Sequence, residues 1–165
     1  MNKIRQIFSL ILFVLVMQAN AKVITGRVVS IADGDTITVL DSEKTQHKIR
    51  LMGIDAPEKS QAYGQASRKN LSNMVLGKNV SIEWVKYDRY HRIVGKVLIK
   101  EMDVCLEQVK NGFAWHYKQY QNEQTIEDRL LYATAELNAR KGEIGLWKDV
   151  EPVEPSHFRR KKEAK

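Results

Sequence analysis

A single cysteine, Cys105, stands in the 165-residue chain. It excludes an internal disulfide, so the fold must hold by packing alone, whatever the redox state of its surroundings. Cys105 also falls within the apolar pattern Val104, Cys105, Leu106, Val109, which suits a buried small side chain better than a reactive thiol. Histidine is sparse: His47, His91, His116 and His157 show no metal-ligand spacing, which argues against zinc. No glycine-rich phosphate loop of the Walker or dinucleotide type occurs, and no nucleophile motif supports a Ser-His-Asp arrangement. Internal repeats and low-complexity segments are lacking too. The one long apolar run, Ile7 to Met17, is too short to cross a bilayer core of about 30 Å comfortably.

That run follows Lys3 and Arg5 and precedes Ala19-Asn20-Ala21, a small-x-small sequence. These are the parts of a secretory signal peptide cut after Ala21. The expected division is a signal peptide over 1–21, one domain over 22–148 and a basic mobile tail over 149–165. The mature protein is then exported, periplasmic or secreted, without stable membrane association. Cleavage removes two cations and no acids, so the formal charge falls from +7 to +5. A basic chain of this length suits one domain with a real core and an anionic partner such as nucleic acid. In the tail, Arg159-Arg160-Lys161-Lys162 reads as a solvated end or as an extra phosphate-attracting arm.

Alternation of apolar and polar residues predicts strands over Val23–Ile31, Thr36–Leu40 and His47–Met52, then at Val80, Ile82, Trp84 and at Ile93, Gly95, Val97, Ile99. Helices are expected over Gln61–Leu76, Met102–Asn111 and Glu123–Arg140. In the last, Ile126, Leu130, Ala133 and Leu137 recur at helical spacing. Gly145-Leu146-Trp147 is an apolar patch that should dock on the body. Five short strands interrupted by one helix and followed by two more predict an α+β fold, a five-stranded OB-type Greek-key barrel with three helices.

The chemistry-bearing residues cluster around Ile49–Glu58. Alone, Asp33-Gly34-Asp35-Thr36 is a hairpin turn. Alone, Asp55-Ala56-Pro57-Glu58 is a helix start with a capping box. Arg50 and Arg92 could each be solvated. Together they match the needs of phosphodiester cleavage. Two aspartates and a backbone carbonyl can hold a hard cation. Guanidinium groups can grip phosphate oxygens bidentately. A further carboxylate, Glu58, can take a proton from an attacking water.

At these residues the chain resembles the staphylococcal nuclease family. The family's DGDT box is present as Asp33-Gly34-Asp35-Thr36. Its R-L-x-x-[IV]-D-x-P-E box is present as Arg50 to Glu58, and its D-x-Y-x-R segment as Asp88 to Arg92. Tyr63-Gly64-Gln65-Ala66, Gly112-Phe113-Ala114 and Gly145-Leu146-Trp147 match further boxes, so the resemblance covers about residues 23 to 148. It implies that Asp35, Asp55 and the carbonyl of Ala56 bind calcium. It implies that Arg50 and Arg92 hold the scissile phosphate, and that Glu58 acts as general base or orients the water. Tyr90, Tyr117 and Tyr120 are candidates for contact with the nucleotide, with core packing the alternative. The implied activity is hydrolysis of DNA and RNA to 3′-phosphate products by a monomeric enzyme. The loop from Glu58 to Tyr63 is shorter than in the staphylococcal enzyme, and Ala56 replaces a threonine. A non-catalytic OB-type single-strand binder and a structural or adhesive exported protein are the competing readings.

Overall fold

β-Branched residues at alternate positions make the first half of the chain a set of strands. The structure is a computed structural model and describes residues 22–164. The expected signal peptide lies outside the described residues. Strands β1 (Lys22–Ile31), β2 (Thr36–Leu40) and β3 (Gln46–Leu51) form an antiparallel meander. A short β4 (Ile54–Asp55) and helix α1 (Gly64–Val75) follow, then β5 (Asn79–Tyr87) and β6 (Ile93–Ile99). β5 pairs antiparallel with both β1 and β6, and β3 pairs parallel with β6. That last pairing closes five strands into a barrel, so the OB-type architecture is as expected. Register shifts between Val28 and Ser30 and between Trp84 and Lys86 mark bulges, which bend strands and help a sheet to curl. Ile37, Val39, Ile49, Ile82 and Val97 fill the interior, each wholly buried.

The first two helices sit slightly inside their predicted bounds. α1 starts at Gly64 because the preceding residues turn: the Gly64 N–H donates to the Gln61 carbonyl and Tyr63 has a φ of 62°. Met102–Asp103 form strand β7 against the end of β6, so α2 (Val104–Lys110) begins only after it. The Asp103 carboxylate caps α2 by accepting the Leu106 N–H at 3.1 Å. Strand β8 (Trp115–His116) and a 3₁₀ turn (Lys118–Glu123) lead to α3 (Ile126–Lys141).

Two expectations need correction. In α3 the apolar stripe faces solvent, with Ile126 68% and Leu130 65% exposed. Tyr132, Ala135, Glu136 and Ala139 face inward instead. The small alanines allow close approach, and the polar atoms on this face find partners: Tyr132 Oη donates to Asp103 at 2.8 Å, and Glu136 accepts the His116 N–H at 3.2 Å. Helical spacing of apolar residues marks a face without saying which way it turns. Second, three helices were expected and the tail carries a fourth: Pro155–Glu163 form α4, with proline in its first turn, where the missing N–H costs nothing. Gln61 Nε2 donates to the Val153 carbonyl at 2.7 Å and ties the approach to α4 onto the domain.

Leu146 and Trp147 dock as expected, in a small second core with Trp115 and Ala139. The Trp115 and Trp147 rings meet edge-on at 4.4 Å. Cys105 is fully buried, and burial pushes its thiol well above the usual range, which makes it a packing residue.

Candidate active site

Asp33 and Asp35 stand in the β1–β2 turn. The Asp33 carboxylate accepts the Asp35 N–H at 3.1 Å, shaping the turn locally. Gly34 is required by packing: a Cβ there would meet Ser67 Oγ at 1.8 Å and Ala56 Cβ at 2.8 Å. The Gly34 carbonyl accepts Gln108 Nε2 at 2.7 Å, so a fully buried amide on α2 pins the turn. Asp35 then reaches inward. Its Oδ1 accepts the Thr36 hydroxyl at 3.0 Å and its Oδ2 accepts the Ala56 N–H at 2.8 Å.

Asp55 is placed by a separate device. Gly53 turns the chain with a φ of +76°, and β4 then pairs antiparallel with β8, Asp55 opposite Trp115. The helix start read from Asp55-Ala56-Pro57-Glu58 does not form, because Asp55 is spent in this pairing and α1 begins only at Gly64. Asp35 and Asp55 are 6% and 2% exposed, an extreme burial for aspartates. Arg50 Nη2 lies 3.2 Å from Asp35 Oδ2 and 3.2 Å from Asp55 Oδ1, so the two carboxylates are at most twice that distance apart. Burial works against the Arg50 charge, but Asp35, Asp55 and Asp33 outweigh it and hold the guanidinium firmly protonated.

Arg92 comes from the β5–β6 loop. Asp88 builds that loop by accepting the backbone N–H groups of Tyr90 and Arg92, each at 2.9 Å. Its other oxygen accepts Arg92 Nε at 2.7 Å. Burial would raise the Asp88 pKa, but the contacts with Arg92 prevail and lower it, so the clamp stays ionised. Arg92 Nη1 points to Thr36 Oγ1 at 3.3 Å. Tyr90 is exposed beneath the guanidinium groups of Arg89 and Arg92, at 4.8 and 5.5 Å from its ring centre. Tyr117 and Tyr120 meet edge-on at 4.9 Å.

Asp35, Arg50, Glu58 and Arg92 line one cleft of about 690 Å³, with Ala56, Tyr90, Tyr117 and Tyr120; Asp55 lies behind that lining, 3.2 Å from Arg50 Nη2. Trp115 is buried in the second core instead. The residue that sequence reasoning missed is Arg159, from α4. Its Nη1 donates to Asp55 Oδ1 at 3.1 Å and to Glu58 Oε1 at 2.8 Å, and its Nη2 to Asp55 Oδ2 at 2.9 Å. The signal was present as one member of a basic run, but nothing in a polybasic segment says which cation is bound.

The electrostatics show an excess of acid. Burial and the neighbouring Asp35 push Asp33 up to about 6. Burial also raises Asp55, with Arg159 and Arg50 offsetting part of the effect. Burial pushes the Tyr117 phenol up, and the Asp55 charge adds to the shift. Among the described residues, no group of three or more His, Cys, Asp or Glu side chains is arranged to hold a metal ion. The donor set fits a hard divalent cation nonetheless. It consists of oxygens alone, Asp35 and Asp55 converge with the Ala56 backbone beside them, and a guanidinium already sits on Asp55 as a stand-in cation. Such a pocket can gather a cation, grip an anion between Arg50 and Arg92, and offer Glu58 as a proton acceptor.

Comparison with known proteins agrees. The family model described as "Staphylococcal nuclease homologue" matches residues 48–149, more than half of the chain. A Haemophilus influenzae protein named as an uncharacterized endonuclease is 44% identical over 151 residues, covering 92% of this chain and 82% of its own. An Escherichia coli protein of the same name is 39% identical over 159 residues, covering 96% and 99%. A protein of Oryza sativa named as a probable staphylococcal-like nuclease is 37% identical over 117 residues, or 71% of this chain and 34% of its own length.

Proposed function

Since the chain belongs to the staphylococcal nuclease family, we propose that it is a calcium-dependent nuclease that hydrolyses DNA and RNA to 3′-phosphate ends. The observation that carries this reading is the convergence of buried Asp35 and Asp55 on one Arg50 nitrogen, beside the cleft lined by Glu58 and Arg92. Barrel stability does not call for two nearly inaccessible carboxylates side by side, since burying them costs several kcal/mol each unless a cation is near.

Asp35, Asp55 and the Ala56 carbonyl would hold the calcium ion, which when bound supplies positive charge beside the phosphate oxygen. Arg50 and Arg92 grip the non-bridging oxygens, and their hold tightens as negative charge builds in the transition state. Asp88 holds Arg92 by Nε, leaving the outer edge of its guanidinium for phosphate. Glu58, half-buried at the mouth, accepts a proton from water or orients it. Water adds to phosphorus as the P–O5′ bond breaks; the phosphate stays on the 3′ side and the 5′ oxygen leaves as a hydroxyl. Exposed Tyr90 and half-buried Tyr117, with Tyr120, offer ring faces for bases of any identity. We read the protein as a monomer and, on the strength of its leader-like first 21 residues, as exported, periplasmic or secreted.

The test is a cleavage assay on plasmid and RNA with calcium, with and without chelator, followed by mapping of the product ends. Chelator-sensitive cleavage of both, leaving 3′-phosphates, is expected. Inactivity with calcium, or 5′-phosphate ends, would refute the reading.

A further inference from the structure

We infer that Arg159 is a built-in competitor of the catalytic cation: helix α4 seats it on Asp55 and Glu58 in the resting protein, and a divalent ion must displace it. This rests on the reading of Asp55 as a cation ligand. Arg159 lies beyond residues 48–149, the span matched by the family model, so the family pattern does not account for it.

Three observations support it. The first is occupancy. Both carboxylate oxygens of Asp55 accept from Arg159, and Glu58 accepts from the same guanidinium, within 2.8–3.1 Å. A dication bound through Asp55 would meet a guanidinium at that range, and like charges so close repel strongly where water is scarce. Asp55 therefore cannot serve both cations at full strength. The second is charge. Asp55 is 2% exposed, so the cation set on it faces a carboxylate that water scarcely reaches. The guanidinium is thus a resident counter-ion, not a passing surface contact.

The third is how lightly α4 is held. Pro155 is its only buried residue, and Phe158 is half-buried. A cavity of about 890 Å³ separates part of the helix from the Glu58–Gln65 segment, with Phe158 and Lys162 on its wall. Among the described residues, Arg159 makes the only side-chain hydrogen bonds from α4 to the rest of the domain. The lock is ionic, with little apolar adhesive behind it, and so it is open to exchange for another cation. The Gln61–Val153 bond lies upstream of α4 and can keep the helix tethered when Arg159 lets go.

The test uses the full chain without nucleic acid. Calcium binding is measured by calorimetry, and amide hydrogen exchange of residues 158–162 is followed as calcium is added. Variants are Arg159→Ala and, as a charge-matched control on the same helix, Lys162→Ala. In the wild type, calcium should speed exchange in α4. Arg159→Ala should exchange fast without calcium and bind calcium about tenfold more tightly, the worth of one partly exposed ion-pair network near 1.4 kcal/mol. Lys162→Ala should behave as wild type. Equal calcium affinity in all three proteins, or exchange in α4 indifferent to calcium, would overturn the role of Arg159 while leaving the nuclease reading intact. Failure of every form to bind calcium would overturn both.

Discussion

Replacing Asp88 with asparagine separates the shape of the β5–β6 loop from the aim of Arg92. One Asp88 oxygen accepts two backbone N–H groups, at 2.9 Å each, and builds the loop; the other holds Arg92 Nε at 2.7 Å. Asparagine keeps one acceptor oxygen, and loop geometry selects the rotamer that turns it to the backbone. The amide NH₂ then faces Arg92 Nε, donor against donor. The lost bond joins two charged groups, so its worth is about 1.5–3 kcal/mol, discounted toward the lower end because both partners are partly exposed. Because the loop survives, we expect stability to fall by no more than about 1.5 kcal/mol, the worth of that one bond. Arg92 loses its bearing on the phosphate, and a misplacement of order 1 Å can cost up to about a hundredfold in rate. Steady-state cleavage of a short oligonucleotide should show kcat down by roughly ten- to a hundredfold, with KM changed less, because the guanidinium matters most when charge has built up. Urea denaturation of the same preparation supplies the stability. A kcat within about twofold of wild type would refute the argument, since it would mean Arg92 finds its place without Asp88.

Glu58→Gln should slow turnover by about 10²–10⁴-fold while leaving the affinity for an uncleaved oligonucleotide little changed; binding that collapses with the rate would remove its role as proton acceptor. Gln108→Leu leaves the Gly34 carbonyl without its 2.7 Å donor in a buried setting and should cost about 1–3 kcal/mol in denaturant titration. For pH, Asp33 is raised from 3.8 to about 6 on folding, so folding favours its neutral form. That contribution is full below pH 3.8 and is lost as pH rises through about 6. Asp33→Asn should therefore be more stable than wild type above that window and equal to it below, as read by melting temperature against pH.

The barrel was legible in the sequence because its strands alternate cleanly: the residues at Ile37, Val39, Ile49 and Ile82 announce a buried face and are wholly buried. The candidate site was legible because three short boxes carry most of its charge and a barrel folds them together. What was not legible has physical causes. Helical periodicity in α3 fixes a spacing but not a direction, and alanines with a tyrosine and a glutamate outcompeted the leucines for the interior. Helix α4 owes its place to ion pairs with Asp55 and Glu58, more than 90 residues away. A basic run shows that cations are available there; only the three-dimensional position of the acids tells which one is used.

The balance of charge in the cleft ties these points together. Asp33, Asp35 and Glu58 line it with Asp55 just behind, while of the barrel guanidiniums nearest them Arg92 is committed to Asp88. Arg50 is left to serve both Asp35 and Asp55. A domain that needed these acids for folding alone would gain by neutralising each with a fixed partner or replacing it with an apolar residue, as buried ion pairs generally can be. Here the barrel keeps them close together and short of positive charge. Such a deficit costs stability while it is unmet, and it attracts whatever cation can reach it. Arg159 meets the need from outside the barrel, through a helix with little else to hold it. The same shortage that draws in a guanidinium is what the proposed divalent ion would meet, answering more of the deficit in less space.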